Sequence, residues 1–215
     1  NVGVIGTDVT GVGTVRYKLA ACSYGEDKGI FGFGHPGPLS MTNLVTNVGV
    51  VGTDVTGTGT ARYEPAACEY GGDKGIFAYG NTGSSPYRVS MSNLISNVGV
   101  CSADVTGVGT ARQALAACSY GEDKGIFGFG ATPSETAITN LVSNAGVIAT
   151  DTAGVGTARR YCQATQYGGD KGIFGYGQTP SYTNMSSLVS NVGVVSADVS
   201  GVGTARIELA ACSYN

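Results

Sequence analysis

One phrase returns five times along this chain, and it limits what the chain can fold into. An Arg follows Thr-Ala or Thr-Val at Arg16, Arg62, Arg112, Arg159 and Arg206, at intervals of 46, 50, 47 and 47 residues. The unit reads TAR-x-x-LAACSYG-x-DKGIFGFG, then a stretch that varies, then TNLVSNVGVVGTDVTGVG. A period of this length marks a solenoid or a propeller, in which stacked units bury a face that one unit alone leaves open. The whole chain, residues 1–215, therefore reads as one repeat-built domain, with units starting near the five Arg residues.

No segment carries the 3.6-residue apolar period of a helix. Gly and β-branched residues recur throughout, which favours short strands. Four strands per unit are expected: Tyr17 to Tyr24, Lys28 to Gly34, a third near Thr42 to Thr46, and Val50 to Asp54. Tight turns at Gly25-Glu26-Asp27 and Asn47-Val48-Gly49 would join them. Four short antiparallel strands in 40–50 residues make a propeller blade. A β-solenoid is the rival, but its coils are shorter and carry Asn or Gly ladders, whereas these turns look like hairpins.

Composition narrows the class further. The chain has 36 Gly without a Gly-X-Y period, which excludes collagen, and 42% apolar residues exclude simple disorder. The net charge of −3 and the lack of a basic run argue against a nucleic-acid partner. No apolar run approaches the roughly 18–20 residues of a membrane span. The chain begins at Asn1 without a signal-peptide pattern, as a processed product or a fragment would. Cys22, Cys68, Cys118 and Cys212 share one repeat position, with Cys101 and Cys162 elsewhere, and no CxxC occurs. Small buried thiols are expected, with neither metal nor cofactor.

The stretch from Arg62 through Ala66-Ala67-Cys68 to Gly75-Ile76-Phe77-Ala78-Tyr79-Gly80 resembles the kelch repeat. That family opens its innermost strand with an Arg and ends its second strand in Gly-Gly. Here one of the two glycines is kept, and Val50, Val100, Val147 and Val194 lie where the family has a Trp. Phrases such as DKGIFGYG and NLVSNVGVV are similar to repeat proteins of tailed bacteriophages and environmental viruses. The resemblance implies a propeller on a virion or another extracellular surface.

Counting strands gives a blade number. The first strand and the NVGV-type fourth strand each occur five times, but DKGIF occurs four times. The expected fold is all-β: a five-bladed β-propeller of four-stranded antiparallel blades. Its closing blade would be shared between the termini, from Ala205–Tyr214 and Val2–Asp8, and would lack its two middle strands: either they lie upstream of Asn1, the favoured reading, or another chain supplies them, or the blade is open. An open position there invites self-association through an exposed strand edge.

Residues shared by every unit are expected to serve the fold. Asp8, Asp54, Asp104, Asp151 and Asp198 precede each connection and the five Arg residues follow it, as ion pairs pinning the chain or as a charged ring at a channel mouth. Asp27-Lys28 and its copies suit turns better than calcium, because few oxygen ligands accompany them. No catalytic constellation is legible: His35 is the only His, and Glu135 has no identifiable carboxylate partner. The informative stretch is the variable connection between second and third strands, which carries His35, Tyr87, Arg88, Glu135 and Tyr182 on the same face as the Arg residues. Binding groups concentrate on loops held by a rigid scaffold. The sequence thus predicts a non-enzymatic module recognising a glycan or a surface protein through these loops. A purely structural decoration or filament subunit is the alternative, and a glycan-processing enzyme the weakest reading.

Overall fold

The computed structural model describes residues 7–213. It is all-β, with four sheets of three antiparallel strands, none closed into a barrel. The first sheet holds β1 (Ala20–Tyr24), β2 (Lys28–Gly34) and β3 (Leu39–Val45). The second holds β4 (Ala66–Tyr70), β5 (Lys74–Ala78) and β6 (Ser92–Ile95). The third holds β7 (Ala116–Tyr120), β8 (Lys124–Gly128) and β9 (Thr139–Val142). The fourth holds β10 (Gln163–Tyr167), β11 (Lys171–Gly175) and β12 (Ser186–Val189). Each sheet keeps the order of the sequence. Each also keeps one register at its first hairpin, with Tyr24, Tyr70, Tyr120 and Tyr167 opposite Lys28, Lys74, Lys124 and Lys171.

Two expected strands come out differently. The first begins at Ala20, not Tyr17, because Lys18 takes a left-handed φ of 55° and breaks the ladder; Tyr17 keeps only one bridge, to His35. The fourth is not a continuous strand. It touches β3 at two separate bridges, Thr42 with Val55 and Val45 with Val51. Three steps along β3 face four along the returning segment, so one extra residue bulges out and interrupts pairing. The same mismatch recurs at Ser92/Val105 with Ile95/Cys101, at Thr139/Thr152 with Val142/Ile148, and at Ser186/Val199 with Val189/Val195.

The fifth copy of the first strand, expected over Ala205–Tyr214, forms no strand among its described residues, 205–213. A strand needs a partner, and the four DKGIF strands among the described residues are each paired in their own sheets. Of the matching fourth-strand copy, Val2–Gly6 lie outside the described residues; Asp8 is exposed.

Sheets stack through their first strands, β1 beside β4, β4 beside β7 and β7 beside β10. An aromatic relay fills the space between them. Phe33 packs on Phe77, Tyr79 on Phe127 and Phe129 on Phe174, with ring centres 5.1–5.5 Å apart. The recurrent Arg of the following unit lies over the same ring: Arg62 over Phe33, Arg112 over Tyr79, Arg159 over Phe129 and Arg206 over Tyr176, at 3.9–4.2 Å. Three of these guanidinium groups also reach into their own sheets, where Arg62 donates to Asn93, Arg112 to Asn140 and Arg159 to Ser187. Each clamp of this kind joins two units. Arg62, Arg112 and Arg159 are fully buried, so they do not form a charged ring at a channel mouth. Arg16 is half-buried and Arg206 exposed.

The recurrent Asp closes the same clamp. Asp104 accepts from the Thr60 backbone and hydroxyl and from Asn93, and Asp151 from Thr110 and Asn140. Asp54 accepts from Thr14 and Asn43, while Asp198 accepts from Thr157, Ser187 and Arg159. Burial works to raise the Asp104 carboxyl. Hydrogen bonds from Thr60 and Asn93 and the charge of Arg62 outweigh it and hold the group below its ordinary range.

All six cysteines are free thiols. Cys68 and Cys118 are buried as expected, but Cys22 is only half-buried and Cys212 exposed. The last lies on the unpaired fifth copy, which nothing covers among the described residues.

Candidate functional site

The left-handed kink just ahead of each first strand builds the site. It falls on the second residue after each recurrent Arg: Lys18, Glu64, Ala114, Tyr161 and Glu208, all with φ between 52° and 55°. Successive copies then bond through their backbones. The N–H of Glu64 donates to Lys18 O at 2.9 Å, that of Ala114 to Glu64 O at 3.2 Å, and that of Tyr161 to Ala114 O at 2.9 Å. This chain of three bonds sets four residues from four units around one opening, and Glu208 of the fifth copy lines it as well.

The opening leads into a cavity of about 440 Å³. Its walls are the residues that follow each Arg, among them Tyr17, Lys18, Glu64, Leu115, Tyr161 and Glu208. That volume falls in the range of small-molecule sites, roughly 300–1,000 Å³. Within it Glu64 is 7% exposed and takes donors from three other units. Lys18 Nζ lies 2.6 Å from Oε1, Gln113 Nε2 donates to Oε2 at 2.8 Å, and the Tyr161 hydroxyl stands 3.5 Å from Oε1. Asn81 extends the network by donating to Gln113. The hydrogen bond to Glu64 holds the Lys18 ammonium above its ordinary range. Burial, then the Glu64 charge, pushes the Tyr161 phenol up. Both shifts keep the protons on the donors.

The variable loops border this opening. His35 sits between Tyr17 and Tyr63, with ring centres 4.9 and 5.0 Å away. Glu135 pairs with Arg160 at 3.4 Å. Arg88, Glu135 and Tyr182 occupy matched places, each bridging to the residue that ends the second strand's extension: Asn81, Ala131 and Gln178. His35 and Glu135 thus meet residues next to the mouth. Tyr87 and Tyr182 project outward and are exposed.

A second, smaller cavity of about 200 Å³ is lined by matched positions of all five copies, including Cys22, Cys68, Cys118, Thr165 and Ser213. Burial pushes the Cys22 and Cys118 thiols up to about 12 and raises Cys68 as well, so none is a thiolate at neutral pH. Glu69 lies on the same wall, its carboxyl raised by burial and then by Asp73.

Sequence reasoning passed over the mouth residues Lys18, Glu64, Gln113, Tyr161 and Glu208. The signal was present: the two positions after Arg read Tyr-Lys, Tyr-Glu, Gln-Ala, Arg-Tyr and Ile-Glu, inside a unit otherwise almost constant. No protein-family model and no curated protein matches the chain.

Proposed function

We propose that this chain is a five-bladed β-propeller and a non-enzymatic binding module, taking a glycan at the mouth of its axis. One observation carries the reading. Two cavities are each lined by corresponding residues of all five units, and the larger one is walled by side chains that differ between units. Residues repeated in every unit already have structural work in clamps, turns and stacking. The mouth residues are free to differ, so selection for a ligand can act on them separately.

Their chemistry favours a polyhydroxylated ligand. Tyr17 and Tyr161 offer aromatic faces, Lys18 donates and Glu208 accepts, with Leu115 as an apolar floor. Such a set can bond hydroxyls on several sides of a sugar ring while excluding water from its apolar face. The loops carrying His35, Tyr87, Arg88, Glu135 and Tyr182 would extend the contact to a longer glycan or its carrier protein. Display on a virion or cell surface is the setting in which such a module is useful.

A glycan array followed by calorimetry tests this. A bound sugar should lose affinity by roughly tenfold or more in Tyr161→Phe or Lys18→Met, the scale of one lost hydrogen bond to a charged group or phenol. Tyr87→Ala should matter only for extended glycans. Absence of sugar binding, or binding unaffected by all three changes, would leave the structural-subunit reading in its place.

A further inference from the structure

Three sockets recur on the trailing side of each sheet, and the next sheet fills them. The first is a small residue on the second strand. A Cβ at Gly32 would lie 2.9 Å from Phe77 Cζ, and one at Gly128 would lie 2.7 Å from Phe174 Cζ, so the following unit's Phe sits directly on that backbone. The second is the ring of the Tyr that ends the first strand. Tyr24, Tyr70 and Tyr120 lie against Gly99, Gly146 and Gly193 in the next unit's third turn. The third is the hairpin Gly: the N–H groups of Gly25, Gly71 and Gly121 donate to Asp73, Asp123 and Asp170 of the next unit, each at 2.7 Å.

The fourth sheet presents the same sockets, and nothing among the described residues fills them. Among the described residues no atom approaches within 4 Å of a Cβ on Gly175 or Gly168. Tyr167 is 37% exposed, against 3–4% for its three counterparts. Beside it opens a groove of about 320 Å³, lined by Ala164, Thr165, Ile173, Tyr176, Val199 and Leu209. The fifth first-strand segment already forms one wall of this groove, yet it has no strand partner.

The opposite end of the stack shows the matching knob. Phe31 is 38% exposed, whereas Phe77, Phe127 and Phe174 are wholly buried in the preceding unit. Gly29 meets only its own unit, whereas Gly75, Gly125 and Gly172 lie under Cys22, Cys68 and Cys118.

We infer that the groove beside β11 is a docking site for one more Lys-Gly-Ile-Phe hairpin of this repeat, carried by a partner polypeptide, because all four such hairpins among the described residues are held in their own sheets. The added strand pairs with residues 209–213, its Phe seats on Gly175, and its turn carbonyl accepts from Gly168 N–H. Strand addition satisfies backbone groups while the alternate side chains set specificity, here through Phe in an apolar socket. The inference rests on the three filled interfaces and needs no sugar ligand.

The probe is a synthetic peptide with the sequence of residues 121–143, titrated into the intact chain. It should bind one-to-one and raise the melting temperature, and the same peptide with Phe127→Ala should bind at least about tenfold more weakly. Gly175→Leu places a side chain in the empty socket, should leave the melting temperature unchanged or higher, and should abolish peptide binding. Failure of the peptide to bind, equal binding by its Ala variant, or undiminished binding to the Leu variant would each overturn the inference. Sedimentation of the chain alone checks the source: self-association abolished by Gly175→Leu would give the groove to a second copy and overturn a separate partner.

Discussion

A buried guanidinium is costly unless its donors are met, and Arg112 meets them most fully, whereas Nε of Arg62 and of Arg159 is buried without a partner among the described residues. Arg112 donates through Nε to Phe129 O at 3.0 Å and through Nη2 to Asn140 at 2.6 Å, and lies over the Tyr79 ring at 4.2 Å. Asp151 stands 4.0 Å away, so it balances the charge while its own oxygens are held by Thr110 and Asn140. A buried ion pair of this kind adds little net stability, but removing one member strands the other. The folded-state pKa values of Asp54, Asp104, Asp151 and Asp198 all lie below the ordinary carboxylate value. Their contribution is therefore present above the unfolded value of about 4 and is lost as pH falls through the folded values. Thermal melting should be flat from neutral pH to about pH 5 and fall steeply below about 4. Asp151→Asn should melt lower at pH 7 and lose less on acidification; a parallel fall in both proteins would remove these carboxylates from the account.

At the scale of the strand, one glycine couples two sheets. A Cβ on Gly125 in β8 would lie 2.5 Å from Cys68 Sγ in β4, closer than any real contact. The Cys and the Gly are thus one packing unit, which explains why both recur. Gly125→Ala should cost about 1–3 kcal/mol, the usual price of overpacking a core. Adding Cys68→Ala should return part of that loss, measured by urea unfolding; simple additivity of the two changes would deny the contact. Period, strand type and the second strand's limits in the first unit were legible in the sequence because hairpin turns and β-branched runs are local signals. The bulged fourth segment was not, because Val50 to Asp54 is rich in β-branched residues like a strand and the extra residue shows only against β3. Nor was the kink at Lys18: Gly marks most left-handed positions, and here Lys, Glu, Ala and Tyr occupy one. The loop residues were singled out for their variety. The equally varied pair after each Arg escaped notice because it is only two residues long and lies within a strand-like run.

Across the whole molecule the same repeat position meets different surroundings, and stability should follow the surroundings. In the middle of the stack, β4 and β7 alternate buried and half-buried residues, whereas β10 has no buried residue and ends exposed at Tyr167. Repeat proteins gain stability from neighbour interfaces as much as from single units. The second and third sheets have a neighbour on each side; among the described residues the first and fourth each present an unfilled face, at Phe31 and at Gly175. Amide exchange should therefore be slowest in β4, β5, β7 and β8 and faster in β10 to β12, because local opening needs fewer contacts broken there. Side-chain deletions at one repeat position should split the same way. Phe127→Ala removes a ring buried between two sheets and should cost roughly 3–5 kcal/mol. Phe31→Ala, at the identical place in the first unit, should cost roughly 1 kcal/mol, nearer the range of surface changes. Equal costs would mean that the first sheet's outer face is covered in solution. In that case the exchange map would also show β2 as slow as β5, and the two measurements together would locate the missing neighbour.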